Sequence, residues 1–126
     1  MKRDMDLVRV LLLKIGEAPF PIKFSDIVPE TDGQAYENAA YNLRMLVEEV
    51  GFVKGIDASS NSGEDWLNLQ LTWYGSDFLE NVRDPGVWQK TMEAGKKVGG
   101  FGIEIMIGVA KEYLKEKIKT QLGFSI

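Results

Sequence analysis

The strongest constraint on the fold is an alternating apolar segment that passes directly into an amphipathic helical pattern. Residues 66–71 largely alternate apolar and polar side chains, as a strand with one buried face does. Thr72 belongs to the residue types preferred at helix N-termini, and Phe78, Leu79 and Val82 then follow at helical spacing. The sequence therefore predicts a strand joined directly to a helix by a capping threonine.

A second strand is predicted just before this junction. Residues 52–56 have a strand-like apolar pattern, and residues 57–65 between the two strands are polar and rich in turn-forming types. The two strands are therefore expected to pair as a hairpin.

Helical periodicity dominates the rest of the chain. Further helices are predicted where apolar residues recur every three or four positions and glycine or proline ends the pattern. The expected helices are residues 7–15 ending at Gly16, 34–50 capped by Asp32 and ending at Gly51, 87–98, and 103–122. Residues 20–24 alternate as a short strand that Pro21 confines to a sheet edge, and residues 25–29 allow at most one helical turn.

Composition excludes several classes of function. The 126 residues contain no cysteine and no histidine, which removes disulfides, thiolate nucleophiles, imidazole bases and the usual zinc or haem ligands. No carboxylate pair has the spacing of an acid and base, so no catalytic residue, metal ligand or cofactor is predicted and an enzyme is the least favoured class. The charged start lacks a secretion signal and no apolar run is long enough to span a bilayer, so a cytoplasmic protein without membrane contact is expected.

The order helix, strand, helix, hairpin, helix resembles that of winged-helix domains. Residues 43–53 look like the end of a recognition helix that runs into a wing strand, and an LTxxGxxFL segment closes the wing of many such domains. Nearly the whole chain resembles the uncharacterised bacterial and phage domain-of-unknown-function family twenty-five thirteen. The resemblance rests on Lys2-Arg3-Asp4-Met5-Asp6-Leu7-Val8-Arg9, Tyr41-Asn42-Leu43, Leu71-Thr72-Trp73-Tyr74-Gly75, Phe78-Leu79 and Arg83-Asp84. Membership implies phage or mobile-element ancestry and assigns no activity.

The expected fold class is therefore α+β, a winged helix-turn-helix-like domain with additional C-terminal helices. The winged-helix-like domain is predicted over residues 1–84. Residues 85–126 are predicted to form a helical extension that packs on this domain or forms a dimer interface.

The first functional hypothesis is a phage or mobile-element transcription regulator that binds duplex DNA. In that case the helix of residues 34–50 would enter the major groove, while the hairpin would contact phosphates. The predicted DNA-binding residues are Gln34, Asn38, Tyr41, Asn42, Arg44 and Lys54. Electrostatics oppose tight binding, because the net charge is −4 and residues 56–65 contain no lysine or arginine.

The second hypothesis is a non-enzymatic interaction protein whose acidic surface binds, and thereby inhibits, a host protein or a nucleic-acid machine. The last helix offers a further surface, since its apolar positions cover more than one narrow stripe. A homodimer is expected there, although simple packing of this helix on the core explains the pattern equally well. The predicted interface residues are Met106, Ile107, Ala110, Tyr113, Leu114 and Ile118.

Overall fold

The computed structural model describes residues 2–28, 33–100 and 102–123. Its elements form two compact units, Met1–Asp77 and Phe78–Ile126, whose boundary falls within the fourth helix. The fold is α+β, and its element order is consistent with a winged helix followed by further helices. The elements are α1 (Met5–Glu17), α2 (Phe24–Ile27), α3 (Gly33–Met45), a π-helical segment (Leu46–Val50), β1 (Val53–Asp57), β2 (Trp66–Leu71), α4 (Trp73–Val82), α5 (Pro85–Lys97) and α6 (Ile103–Leu122).

Helix α1 confirms the first predicted helix. The Asp4 carboxylate accepts a hydrogen bond from the Leu7 amide at 3.1 Å and so caps the N-terminus. One face of α1 is buried through Val8, Leu11, Leu12 and Ile15. Gly16 was predicted to end the helix in a left-handed conformation, but it lies inside α1, which continues to Glu17 before the extended Ala18.

The predicted strand at residues 20–24 is wrong. The Leu69 amide of β2 donates a hydrogen bond to the Ile22 carbonyl at 3.0 Å, but the segment is not a strand. Pro21 has no N–H to continue a ladder, and the Lys23 N–H donates instead to the Asp26 carboxylate at 3.1 Å. This bond starts α2, the single helical turn that the sequence allowed at about this position.

Helix α3 confirms the predicted central helix and continues into the π-helical segment without a break. Gly51 ends the helix, as predicted, and it adopts the left-handed conformation with φ at 75°. The predicted Asp32 cap lies outside the described residues. The wider π-helical turn, with its i→i+5 hydrogen bonds, was not predicted.

Strands β1 and β2 form the predicted antiparallel hairpin. Val53 pairs with Leu71 and Asp57 with Trp66, while a bulge between Lys54 and Ile56 shifts the register. The connection is folded back on itself, since the backbones of Ser60 and Gly63 exchange hydrogen bonds of 2.9 and 3.0 Å. We call residues 58–65 the hairpin tip.

The junction between β2 and α4 is built around Thr72. Its hydroxyl donates to the Gly51 carbonyl at 2.5 Å and accepts from the Gly75 amide at 3.1 Å, while its amide donates to the Phe52 carbonyl at 2.9 Å. Thr72 therefore caps α4, as the sequence predicted, and also ties the helix start to the segment before β1. Gly75 is buried directly against the Phe52 backbone.

The second unit is organised by α5 and α6, which pack on one another. The Asp84 carboxylate caps α5 by accepting from the Val87 amide at 2.9 Å, and Lys117 of α6 donates to its other oxygen. These two hydrogen bonds, that of Lys117 first, lower the pKa of Asp84. Helix α6 spans the residues that the pattern predicted, and none of the helices described is sufficiently long and apolar to cross a membrane.

Candidate binding cleft

The outward face of α3 and the hairpin tip enclose a cleft of about 510 Å³ within the first unit. One wall is a helix face on which Glu37, Tyr41 and Arg44 follow one another at intervals of four and three residues. The other wall is the end of the hairpin. The lining residues are Gly33, Tyr36, Glu37, Ala40, Tyr41, Arg44, Ser62, Gly63 and Glu64.

Tyr36 joins the two walls. Its hydroxyl donates a hydrogen bond of 2.6 Å to the main-chain carbonyl of Glu64, and its ring packs against Phe24 of α2 with the ring centroids 4.9 Å apart. The ring contact fixes the side chain on the first unit, so the hydroxyl holds the hairpin tip beside α3. The tip therefore covers part of the helix face that a DNA-reading helix would present to a groove.

Arg44 lines the cleft and is paired with three carboxylates. Its Nη1 atom lies 2.8 Å from Glu48 and 3.2 Å from Asp57, and its Nη2 atom lies 3.3 Å from Glu64. The guanidinium also lies over the Trp66 ring, 5.0 Å from the centroid. Arg44 thus joins the helix to both arms of the hairpin, and its charge is already compensated.

The same contacts shift the pKa values of Arg44 and Asp57. Partial burial lowers the pKa of Arg44, but hydrogen bonds to Asp57 and Glu48 and the nearby negative charges raise it by more, so the net shift is upward. The pKa of Asp57 is lowered, first by its hydrogen bonds with Ser59 and then by Arg44. Both groups therefore stay charged at neutral pH.

The surface around the cleft is acidic. Residues 33–66 contain six acidic side chains and two basic ones, a formal charge of −4. Residues 1–77 contain thirteen acidic and seven basic side chains, a formal charge of −6, whereas the remainder of the chain carries +2. The Glu64 Oε1 atom pairs with Arg44, but its Oε2 atom is buried without a hydrogen-bond partner. A negative potential is therefore expected in and around the cleft.

Comparison with known proteins identifies the family. A family model described as Hypothetical protein (DUF2513) matches residues 2–102. The chain belongs to the DUF2513 family. An uncharacterized protein of Haemophilus influenzae (strain ATCC 51907 / DSM 11121 / KW20 / Rd) is 32% identical over 88 residues, which cover 70% of this chain and 73% of the relative. No solved structure matches. The family match confirms the resemblance and includes every residue that lines the cleft.

Asn42 is buried in this DUF2513 member, whereas the DNA hypothesis requires it at the surface. Its side chain is completely buried and receives a hydrogen bond of 2.8 Å from the Asp4 amide. Its amide group donates to the carbonyls of Asn38 at 2.8 Å and Lys2 at 3.3 Å. Asn42 therefore holds the chain start on α3, and in this conformation it offers no surface to a base.

The other residues of the predicted DNA-binding set are dispersed. Gln34 and Lys54 are exposed, Asn38 is half-buried, and only Tyr41 and Arg44 line the cleft. Tyr36 and Glu64 were not among the predicted site residues. The helical spacing of Glu37, Tyr41 and Arg44 was visible in the sequence, but no local pattern could indicate that the hairpin tip lies opposite them.

The residues predicted to form a dimer interface also differ in their exposure. Met106 and Ala110 are buried within the second unit, so neither is available to a second copy without rearrangement. Ile107, Leu114 and Ile118 are half-exposed, and the Tyr113 ring lies 5.9 Å from the Lys90 ammonium. Self-association through the half-exposed residues stays a prediction. For the residues described, no group of three or more acidic side chains is placed to hold a metal ion.

Removing the Arg44 side chain is expected to loosen the hairpin tip. Arg44→Ala leaves Glu48, Asp57 and Glu64 to repel one another and should lower the free energy of unfolding by about 1–2 kcal/mol, the sum of partly exposed pairs and a cation–π contact. Urea denaturation measures this loss, and amide hydrogen exchange in residues 57–65 should become faster. Lys54→Ala, which removes an exposed charge from the same hairpin, is the control and should change stability by less than about 0.5 kcal/mol. Equal stability of both variants would contradict a structural role for Arg44.

Proposed function

We propose that this DUF2513 chain is a non-enzymatic binding module that holds a basic segment of a partner protein on the acidic surface formed by α3, the π-helical segment and the hairpin. The proposal rests chiefly on Arg44, whose charge is compensated by Glu48, Asp57 and Glu64. The surface therefore keeps an excess of negative charge in the elements that a winged-helix regulator uses to approach phosphates.

The distribution of charge favours a cationic partner. Glu48 and Glu49 are exposed on the π-helical segment, where Glu48 shares Arg44 with Asp57 and Glu64. Asp57 and Asp65 add two carboxylates at the ends of the hairpin strands. Complementary charge of this kind accelerates encounter and selects the partner. The basic groove of a nucleic-acid-binding protein has the required chemistry, and its occupation would inhibit that protein.

DNA binding by a transcription regulator is the competing prediction. Duplex DNA carries one negative charge per roughly 1.7 Å of helix axis, so its phosphates would be repelled by the same carboxylates. Asn42 is buried and Arg44 is engaged, which removes two of the side chains best suited to base contacts. The two hypotheses thus predict opposite partners for one surface.

Fluorescence titration against two labelled probes separates them. The probes are a short polyarginine peptide and a random-sequence DNA duplex, each at low and moderate salt. We expect the peptide to bind at low salt, to weaken as salt rises, and to bind more tightly than the duplex. The double substitution Glu48→Lys with Glu49→Lys should weaken peptide binding about tenfold, the effect of about 1.4 kcal/mol.

A matched variant controls for net charge. Glu104→Lys with Glu112→Lys makes the same change of charge at exposed positions of α6 and should leave peptide affinity within about twofold of the original. Circular dichroism verifies that both double variants fold. Equal losses in the two double variants, or tighter binding of the duplex, would refute the proposal.

A further inference from the structure

We infer that the cleft between α3 and the hairpin tip is a pocket for one arginine side chain of the basic segment. This inference rests on the proposed function and assigns its anchor point. The carboxylates that surround Arg44 extend beyond the cleft, whereas the pocket itself combines Glu37, Glu64 and two tyrosines within one concave site.

The two carboxylates of the pocket contribute in different ways. Glu64 Oε1 accepts from Arg44 Nε and pairs with its Nη2 atom, both at 3.3 Å, while the buried Oε2 atom has no hydrogen-bond partner. Because Oε2 has almost no accessible surface, a ligand in the cleft cannot donate to it, and Glu64 acts on the ligand through its negative charge. Glu37 is exposed at the rim of the same pocket. Glu37 therefore offers the accessible acceptor, and Glu64 adds negative charge beside it.

Nearby carboxylates offset the repulsion between Arg44 and a bound cation. The pocket and its immediate surroundings include the carboxylates of Glu37, Glu48, Asp57 and Glu64 against the one guanidinium of Arg44. The formal charge of this group is −3. A second cation near Arg44 consequently enters a site that is still negative.

Aromatic walls favour a planar cation. Tyr41 is half-exposed and lines the cleft, and the Tyr36 ring is held by its contacts with Phe24 and Glu64. Guanidinium groups stack on aromatic faces and present several N–H donors in a rigid fork, whereas the lysine ammonium is a compact and strongly hydrated charge. An arginine that stacks on Tyr41 can direct its donors at carboxylate oxygens, and this selects arginine over lysine.

The size of the cleft suits an anchor residue with part of its backbone. Its volume of about 510 Å³ is within the range of roughly 300–1,000 Å³ typical of ligand pockets. Gly33, Ala40 and Gly63 contribute to the lining with little or no side chain. A peptide backbone can approach these positions closely, since nothing lies within 4 Å of a Cβ built on either glycine.

The direct test uses single-residue probes on the intact chain. N-acetyl-arginine N-methylamide and N-acetyl-lysine N-methylamide are titrated separately into isotope-labelled protein, and amide chemical shifts are recorded. We expect saturable shifts for the arginine probe at the amides of Gly33, Tyr41, Gly63 and Glu64, and an affinity about threefold or more weaker for the lysine probe. Absence of localised shifts, or equal binding of the two probes, would overturn the inference.

Two substitutions at Tyr41 test whether its ring stacks on the arginine probe. Tyr41→Ala removes the stacking surface and should weaken the arginine probe about three- to tenfold, whereas Tyr41→Phe keeps the ring and should bind within about twofold of the original. Glu37→Gln should weaken binding similarly to Tyr41→Ala. Gln34→Ala, an exposed position of α3 that does not line the cleft, is the matched control and should change nothing.

The combined results distinguish failure of the pocket from failure of the proposed function. If Glu48→Lys with Glu49→Lys abolishes polyarginine binding while Tyr41→Ala and Glu37→Gln do not weaken it, the acidic surface is correct and the pocket is refuted. If the arginine probe fills the cleft but polyarginine does not bind, the pocket is correct and the larger surface is refuted. Loss of both peptide and probe binding on Tyr41→Ala, with rescue by Tyr41→Phe, supports both.

Discussion

Gly75→Ala should destabilise the first unit by about 3–5 kcal/mol, near the upper end for a single substitution. A Cβ atom at position 75 would lie 2.0 Å from the Phe52 carbonyl oxygen and 2.7 Å from the carbonyl carbon. Both neighbours are backbone atoms, so no side-chain rotation can relieve the clash. The start of α4 would have to move away, and that movement breaks the hydrogen bonds from Thr72 to Gly51 and Phe52.

Urea denaturation of Gly75→Ala beside Gly108→Ala tests this expectation. Gly108 lies within α6, and nothing is within 4 Å of a Cβ atom built there. Alanine at that position should stabilise the chain by up to about 1 kcal/mol, because glycine costs that much in a helix interior. Substitution of glycine by alanine is thus expected to lower stability at position 75 and to raise it at position 108. A Gly75→Ala variant as stable as the original chain would refute the close packing of α4 against Phe52.

Asn42→Ala is expected to lower the free energy of unfolding by about 2–3 kcal/mol, since it leaves buried polar groups without partners. The substitution removes the acceptor of the Asp4 amide and the donor to the Lys2 and Asn38 carbonyls. The chain start should then detach from α3. Hydrogen exchange at the Asp4 amide should become faster together with the loss of stability.

The matched control for Asn42 is Gln34→Ala on the same helix. Gln34 is exposed, and its truncation should change stability by less than about 0.5 kcal/mol. Comparison of Asn42→Ala with Gln34→Ala also distinguishes a structural role of Asn42 from a base-contacting role. A base-contacting asparagine would lose duplex affinity on substitution while stability stayed constant, and that combination would contradict the structural role.

The element order of this chain is consistent with a winged helix. In this chain the outward face of α3 is partly covered by the hairpin tip, because Tyr36 and Arg44 both bond to Glu64, and the surrounding charge is negative. The elements that approach DNA in winged-helix regulators are therefore directed, on our proposal, at a cationic protein segment. Fold alone does not determine such a choice, because the same scaffold supports surfaces of either sign.

The sequence predicted most elements because their signals are local. The period of apolar residues placed α1, α3 and α6, and alternation placed β1 and β2. Thr72 identified the start of α4, since a hydroxyl at a helix N-terminus satisfies an amide within the next turn. The failure at residues 20–24 has an equally specific cause. Alternation suggested a strand there, but Pro21 lacks a donor and Lys23 uses its donor to begin α2.

The sequence by itself determined the helices, the hairpin, the excess of acidic residues and the exclusion of thiol and imidazole chemistry, since each depends on residue type or on neighbours within a few positions. Only the tertiary structure decided that Asn42 is buried beneath the chain start and that Arg44 is compensated. It also revealed the cleft, which Tyr36 closes by reaching Glu64, 28 residues away. Asp4 and Asn42 are 38 residues apart. Contacts at such separations depend on how the helices and strands pack, and that packing leaves no periodic signal in a single sequence.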